Sequence, residues 1–199
     1  DDILYEAKYT NCSQQQKHAE DFFREDVEDG TLKDEIDAHP GGTITMFLTL
    51  QPCNRSTTRT GTDTTSPEHS CCKTLRDIYL DKLKHEGVKL HVIPTHLCRL
   101  DQVENDDAGD DIDYVTHHGV EEWQENEHFR ENAVRGIKML MRNRITIRAM
   151  TPADWEYLSG MTNNGIVDGN VPSRVKLDEE IGSILNRIRQ QLHAVLKTD

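Results

Sequence analysis

Three short stretches bring together side chains that bind metal and move protons: His18-Ala19-Glu20, Pro52-Cys53 and Cys71-Cys72. One imidazole and two thiolates form a ligand set that suits a catalytic zinc ion, which keeps three protein ligands and leaves its fourth position for water or substrate. Such a site also needs a proton carrier that does not ligate the metal, and Glu20, two residues after His18, meets that need. The metal candidates are therefore His18, Cys53 and Cys71, with Cys72 open as an alternative to Cys71, and the catalytic candidate is Glu20. The chain has five cysteines, an odd number with two of them adjacent, beside ten histidines. That pattern favours metal ligation over a disulfide framework. The sequons Asn11-Cys12-Ser13 and Asn54-Arg55-Ser56 read as chance matches.

These residues need elements to position them. Residues 3–9 alternate imperfectly between β-prone and polar types and are predicted as a short strand. Ser13 is the expected N-cap of a helix over 14–28, which places His18 and Glu20 in its first turns. Thr43 to Leu50 is a nearly continuous β-rich run, as in a strand covered on both faces, and Cys53 follows it directly. A helix over 71–85 carries Leu75, Ile78, Tyr79 and Leu83 on one face. Cys71 and Cys72 sit at its start, where the positive end of the dipole favours a thiolate. A buried strand over 88–94, a helix over 120–142 and a strand over 145–150 form a crossover unit, so those two strands should be parallel. Thr151-Pro152-Ala153-Asp154 has the cap, first-turn proline and third-position acid of a helix start. A final helix over 174–197 carries the apolar stripe Leu177, Ile181, Ile184, Leu185, Ile188, Leu192, Val195 and Leu196. The order β-α-β-α-β-α-β-α-α predicts an α/β fold.

A His-x-Glu on a helix, followed by Pro-Cys after a strand and a further Cys opening the next helix, resembles the zinc-dependent cytidine deaminase superfamily, and within it the AID/APOBEC-like branch. The resemblance runs over about residues 3–158. Its motifs here are Lys17-His18-Ala19-Glu20-Asp21-Phe22-Phe23, Leu48-Thr49-Leu50-Gln51-Pro52-Cys53 and the stretch from Ala133 to Leu158. It implies an α/β/α sandwich around a mixed central sheet whose last two strands are parallel. A deaminase domain would cover 1–160. A linker and a C-terminal amphipathic helix, 161–199, would pack on it. His18, Cys53 and one of Cys71 or Cys72 would hold Zn²⁺. The family's apolar spacing after its second cysteine is met by Leu75, Ile78 and Tyr79 when counted from Cys71. Glu20 would carry the proton of the attacking water to N3 of cytosine and then help ammonia leave. Asn11, Arg55, His96 and Arg99 are the residues expected on the substrate side, with Lys17 and Arg59 adding local positive charge.

The chain departs from the family in three places. Seventeen residues separate Cys53 from Cys71, and the resulting insertion, 54–70, resembles that of some invertebrate members. Leu50 stands where the family has a tryptophan. Cys98 stands where it has a base-stacking aromatic, which weakens the single-stranded nucleic acid mode.

Charge bears on the same question. The 199 residues hold 36 acidic and 23 basic side chains, a net charge of -13, which argues against binding phosphates. The acidity is local: residues 101–131 hold 12 acids against one base. An acidic loop over 101–119 follows the strand that flanks the base pocket in the family, which suggests a selector over the site. The expected activity is therefore C-to-U deamination of single-stranded DNA or RNA, in immunity or mutagenesis. The alternatives are a free nucleoside or nucleotide deaminase and a silent, zinc-stabilised binding module. No apolar run reaches the roughly 20 residues of a membrane span, and no signal peptide is visible. The expected location is intracellular, in cytoplasm or nucleus. The chain starts Asp1-Asp2 without a methionine, which leaves room for an upstream segment.

Overall fold

A computed structural model describes residues 2–55, 68–98, 100, 120–161 and 172–195. The insertion between residues 56 and 67, Arg99, the acidic loop 101–119 and most of the linker lie outside them.

Helix α1, Ala19–Asp29, buries Glu20, Phe23 and Val27, one face at helical spacing. Its first N–H groups find acceptors: Asn11 Oδ1 accepts from Ala19 N at 2.9 Å, and Asp21 Oδ2 accepts from His18 N at 2.9 Å. The helix begins five residues later than expected from Ser13. Residues 12–17 close a tight loop, with backbone bonds in both directions between Cys12 and Lys17 and a positive φ of 53° at Gln16. Gly30 ends α1. A Cβ there would stand 2.0 Å from Asp26 Oδ1, so only glycine fits. A short helix not expected from the sequence follows at once, α2, Thr31–Ala38, with Leu32 and Ile36 buried.

Residues 3–9 form no strand. Side chains anchor this segment in place of a ladder: the hydroxyls of Tyr5 and Tyr9 both donate to Asp26 Oδ2, and Leu32 N donates to its Oδ1 at 3.1 Å. One carboxylate thus fixes the N-terminal segment and the α1–α2 corner together.

Strand β1 is Thr43–Leu50 and β2 is Lys89–His96, paired in parallel from Thr43↔Lys89 to Leu50↔His96. Between them runs α3, Cys71–Ile78, which continues without a break into a π-helical turn, Tyr79–Leu83. Ile78, Tyr79 and Leu83 all lie in the core through this turn. Helix α4, Val120–Arg142, leads to a two-residue strand β3, Thr146–Ile147, parallel to β2 through His91↔Thr146 and Val92↔Ile147. The strand is shorter than the expected 145–150, although Arg148 N still donates to the Val92 carbonyl of β2 at 3.2 Å while its guanidinium binds Asp154. Helices α5, Pro152–Met161, and α6, Pro172–Val195, complete the order.

The described residues therefore form an α/β fold of six helices around an open three-stranded sheet, β1-β2-β3. The expected mixed sheet is corrected. All pairs among the described residues are parallel, because the N-terminal segment that would have supplied a further strand is held by tyrosines instead. Each parallel pair is joined by a helix, as such pairs require.

Strand β2 is covered on both faces. Leu90 and Val92 join the main core with Leu75, Leu83, Ile137, Leu140, Ile181 and Leu185, and Ile93 joins Met150 and Trp155. Helix α6 belongs to the main core through Ile181, Leu185 and Ile188. Burial of each such side chain contributes about 1.5–3 kcal/mol.

Candidate metal centre

The ends of three elements meet beyond the carboxyl end of β1, the usual place for a site in an open parallel sheet. His18 is the residue before α1, Cys53 follows β1 by three residues, and Cys71 is the first residue of α3. Their ligand atoms converge. His18 Nδ1 lies 3.1 Å from Cys71 Sγ and 3.6 Å from Cys53 Sγ. A fourth donor, His69 Nε2, lies 3.4 Å from Cys71 Sγ. All four atoms fall within 4.8 Å of one another. Bond lengths of about 2.3 Å to sulfur and 2.0–2.1 Å to nitrogen space the corners of a tetrahedral zinc site by about 3.3–3.8 Å. The three pair distances match or closely approach that range, so the residues fit zinc in both chemistry and spacing.

Cys72 is turned elsewhere. Its thiol is fully buried and donates to the Pro52 carbonyl at 3.2 Å, and burial pushes its pKa up. Cys53 is the acidic thiol of the group. The hydrogen bond from the Cys71 thiol, together with His18, brings it down to about 5 against the cost of its burial. Cys71, which donates that bond, is pushed up accordingly. His18 is raised chiefly by its bond to Cys53. Glu20 is buried beside the cluster, and loss of solvent raises its carboxyl above the usual range.

A polar network fixes the frame. Cys72 N donates to the Cys53 carbonyl at 3.0 Å, joining the two cysteine segments through backbone. Ser70 caps α3, accepting from Lys73 N at 3.1 Å while its hydroxyl donates to Asn54 Oδ1 at 2.7 Å. Asn54 Nδ2 donates to the Asn132 carbonyl on α4 at 2.8 Å. Helix α4 comes this close because residue 136 is glycine. A Cβ there would sit 2.5 Å from Asn54 Cβ and 2.7 Å from Cys72 Sγ. The base of the insertion is closed by Arg55 N donating to the His69 carbonyl at 2.9 Å and by an ion pair between Arg55 and Glu68 at 3.0 Å.

The structure brings His18, Cys53, Cys71 and Glu20 together and adds His69, which the sequence reading omitted. The available signal was its His-x-Cys spacing from Cys71 at a helix start. The substrate-side candidates are more scattered. The Asn11 side chain caps α1, Arg55 is exposed with φ 53°, and His96 is exposed at the end of β2, its Nδ1 2.9 Å from Thr95 Oγ1. Arg99 lies outside the described residues. Gln51, buried after β1, clasps the backbone of Cys98 through both its amide atoms, tying the segment after β2 to the site.

No family model matches the chain, and no curated protein matches it in sequence. No helix among the described residues is long and apolar enough to cross a membrane.

Proposed function

We propose that the chain is a zinc-dependent hydrolytic deaminase that converts cytosine to uracil in single-stranded DNA or RNA. The observation that carries this reading is Glu20: a carboxyl buried against a His/Cys metal group, on the same helix end as one of its ligands. Zinc held by His18, Cys53 and Cys71 would supply the Lewis acidity that makes water a nucleophile near neutral pH. Glu20, its carboxyl raised by burial, is suited to take and return protons. It accepts a proton from the attacking water and delivers it to N3 as the C4–O bond forms. Now a carboxylate again, it takes the proton of the new C4 hydroxyl and gives it to the exocyclic amine as the C4–N bond breaks, so water and cytosine give uracil and ammonia. Reduced thiols at Cys53 and Cys71 favour an intracellular setting.

A second reading has its own observation. His69 completes a four-donor group, and a closed four-ligand zinc site is structural. On that reading the chain is a zinc-stabilised binding module. The deciding experiment incubates the zinc-loaded protein with a C-containing single-stranded oligonucleotide and, separately, with free cytidine, and measures uracil and uridine. Uracil in the oligonucleotide supports the proposal, uridine alone shifts it to a nucleoside deaminase, and neither product leaves the binding module. Binding of the oligonucleotide should fall steeply with added salt.

A further inference from the structure

We propose that His69 is a displaceable fourth ligand, which closes the metal centre at rest and passes to Asp21 when an incoming ligand takes its place. The inference rests on the zinc reading of His18, Cys53 and Cys71 and asks what the fourth donor does there. His69 Nε2 stands between two partners, 3.4 Å from Cys71 Sγ inside the metal group and 3.3 Å from Asp21 Oδ2 outside it. One nitrogen cannot serve both. As a ligand it presents its lone pair, with the ring hydrogen on Nδ1; as a donor to Asp21 it carries the hydrogen on Nε2, exchanged from Nδ1 through solvent with no change in the charge of the ring. The two arrangements exclude each other, and both partners already lie within 3.4 Å of the same nitrogen.

The surroundings suit such an exchange. The His69 backbone is held by Arg55 N at its carbonyl, so a move to Asp21 need not disturb the chain. The Asp21 carboxylate is itself fixed by His18 N at 2.9 Å, which keeps the receiving position in place. His69 also belongs to no helix. It precedes the Ser70 cap, whereas His18 and Cys71 are locked at helix starts. Its side chain keeps 19% exposure and, like His18 and Cys53 and unlike the buried Cys71 and Glu20, is within reach of water. A position occupied most of the time lowers the apparent affinity of any external ligand by the fraction of time it is open.

The test loads the wild-type chain and His69→Ala with Co²⁺ and titrates each with azide, following the visible Co²⁺ bands, with His69→Gln as a second variant. The proposal expects one Co²⁺ per chain in all three proteins and an altered band pattern in both variants. It also expects azide to saturate His69→Ala at a concentration at least about tenfold below that for wild type. Identical spectra and equal azide titrations would overturn it, since His69 would then not be a ligand. Loss of Co²⁺ from both variants, or a wild type that azide never reaches, would overturn it too, because His69 would then be a permanent ligand. Failure of the wild type itself to take up Co²⁺ overturns the zinc reading beneath it, which separates the two.

Discussion

Glu20 and the two neighbouring thiols show how much chemistry a single position decides. Cys71 and Cys72 are adjacent, yet one faces the metal group and the other the Pro52 carbonyl. A helix turns its successive side chains by about 100°, so only one of two adjacent residues can face the same point. Glu20 suits the proposed role of proton carrier because it is buried beside the four donors and is not one of them. Glu20→Gln keeps its shape and removes its proton. The expected outcome is unchanged metal content and circular dichroism with uracil formation reduced by about 10²–10⁴-fold, checked by metal analysis beside the deamination assay. His18, Cys53 and Cys71 were legible in the sequence because each sits at the end of an element whose periodicity could be read. His69 was not, because it ends a Thr- and Ser-rich stretch with no periodicity. The backbone bond from Arg55 and the side-chain contacts with Cys71 and Asp21 hold it at the site.

Among the elements, α4 matters for how closely it approaches. Gly136→Ala would force a Cβ to 2.5 Å from Asn54 Cβ, so a loss of about 1–3 kcal/mol is expected, read as a lower denaturation midpoint. Metal affinity should fall with it, because Asn54 holds Ser70 and thereby the start of α3. Helix α5 depends on its own start. Asp154 accepts two hydrogen bonds from Arg148, at 2.6 and 2.9 Å, and one from Thr151 N at 2.7 Å. Burial alone would raise its pKa, but these bonds outweigh it and hold the carboxyl below its ordinary 3.8. The depressed value means that the stabilisation is complete above pH 3.8 and is lost as pH falls through the folded-state value. Asp154→Asn should cost about 1–3 kcal/mol at pH 7, and the difference from wild type should shrink towards acid pH in denaturation curves. The Thr-Pro-x-Asp start of α5 was readable because caps are local. The π-helical turn and α2 were not, since core packing decides the first and the Gly30–Asp26 corner the second.

Across the whole molecule, the metal donors come from segments far apart in the chain, so the centre joins the start of α1, the end of β1 and the start of α3. On the proposed zinc reading, removing the metal should loosen all three together. At a free zinc concentration about a hundredfold above Kd, binding adds about 2.7 kcal/mol to stability, so chelation should lower Tm by about 5–10 °C for a chain of this size. Scanning calorimetry with and without chelator measures this. The parallel sheet was legible in its last two strands, because a helix must separate parallel neighbours. The expected mixed character failed because residues 3–9 met a carboxylate, not a strand edge. The net charge is a local property of the chain, since 12 acids lie within residues 101–131.

The closed base of the insertion has a consequence for engineering. Arg55 and His69 are joined through backbone, and Arg55 and Glu68 through charge, so the ends of the segment 56–67 are clamped whatever lies between them. Loop-closure entropy changes by only about 0.6 kcal/mol for each doubling of length. A segment of different length, an affinity tag or a fluorophore-bearing peptide can therefore be spliced in between the same two anchors. Placed there, beside His69, a fluorophore-bearing peptide offers an optical test of the proposed His69 exchange.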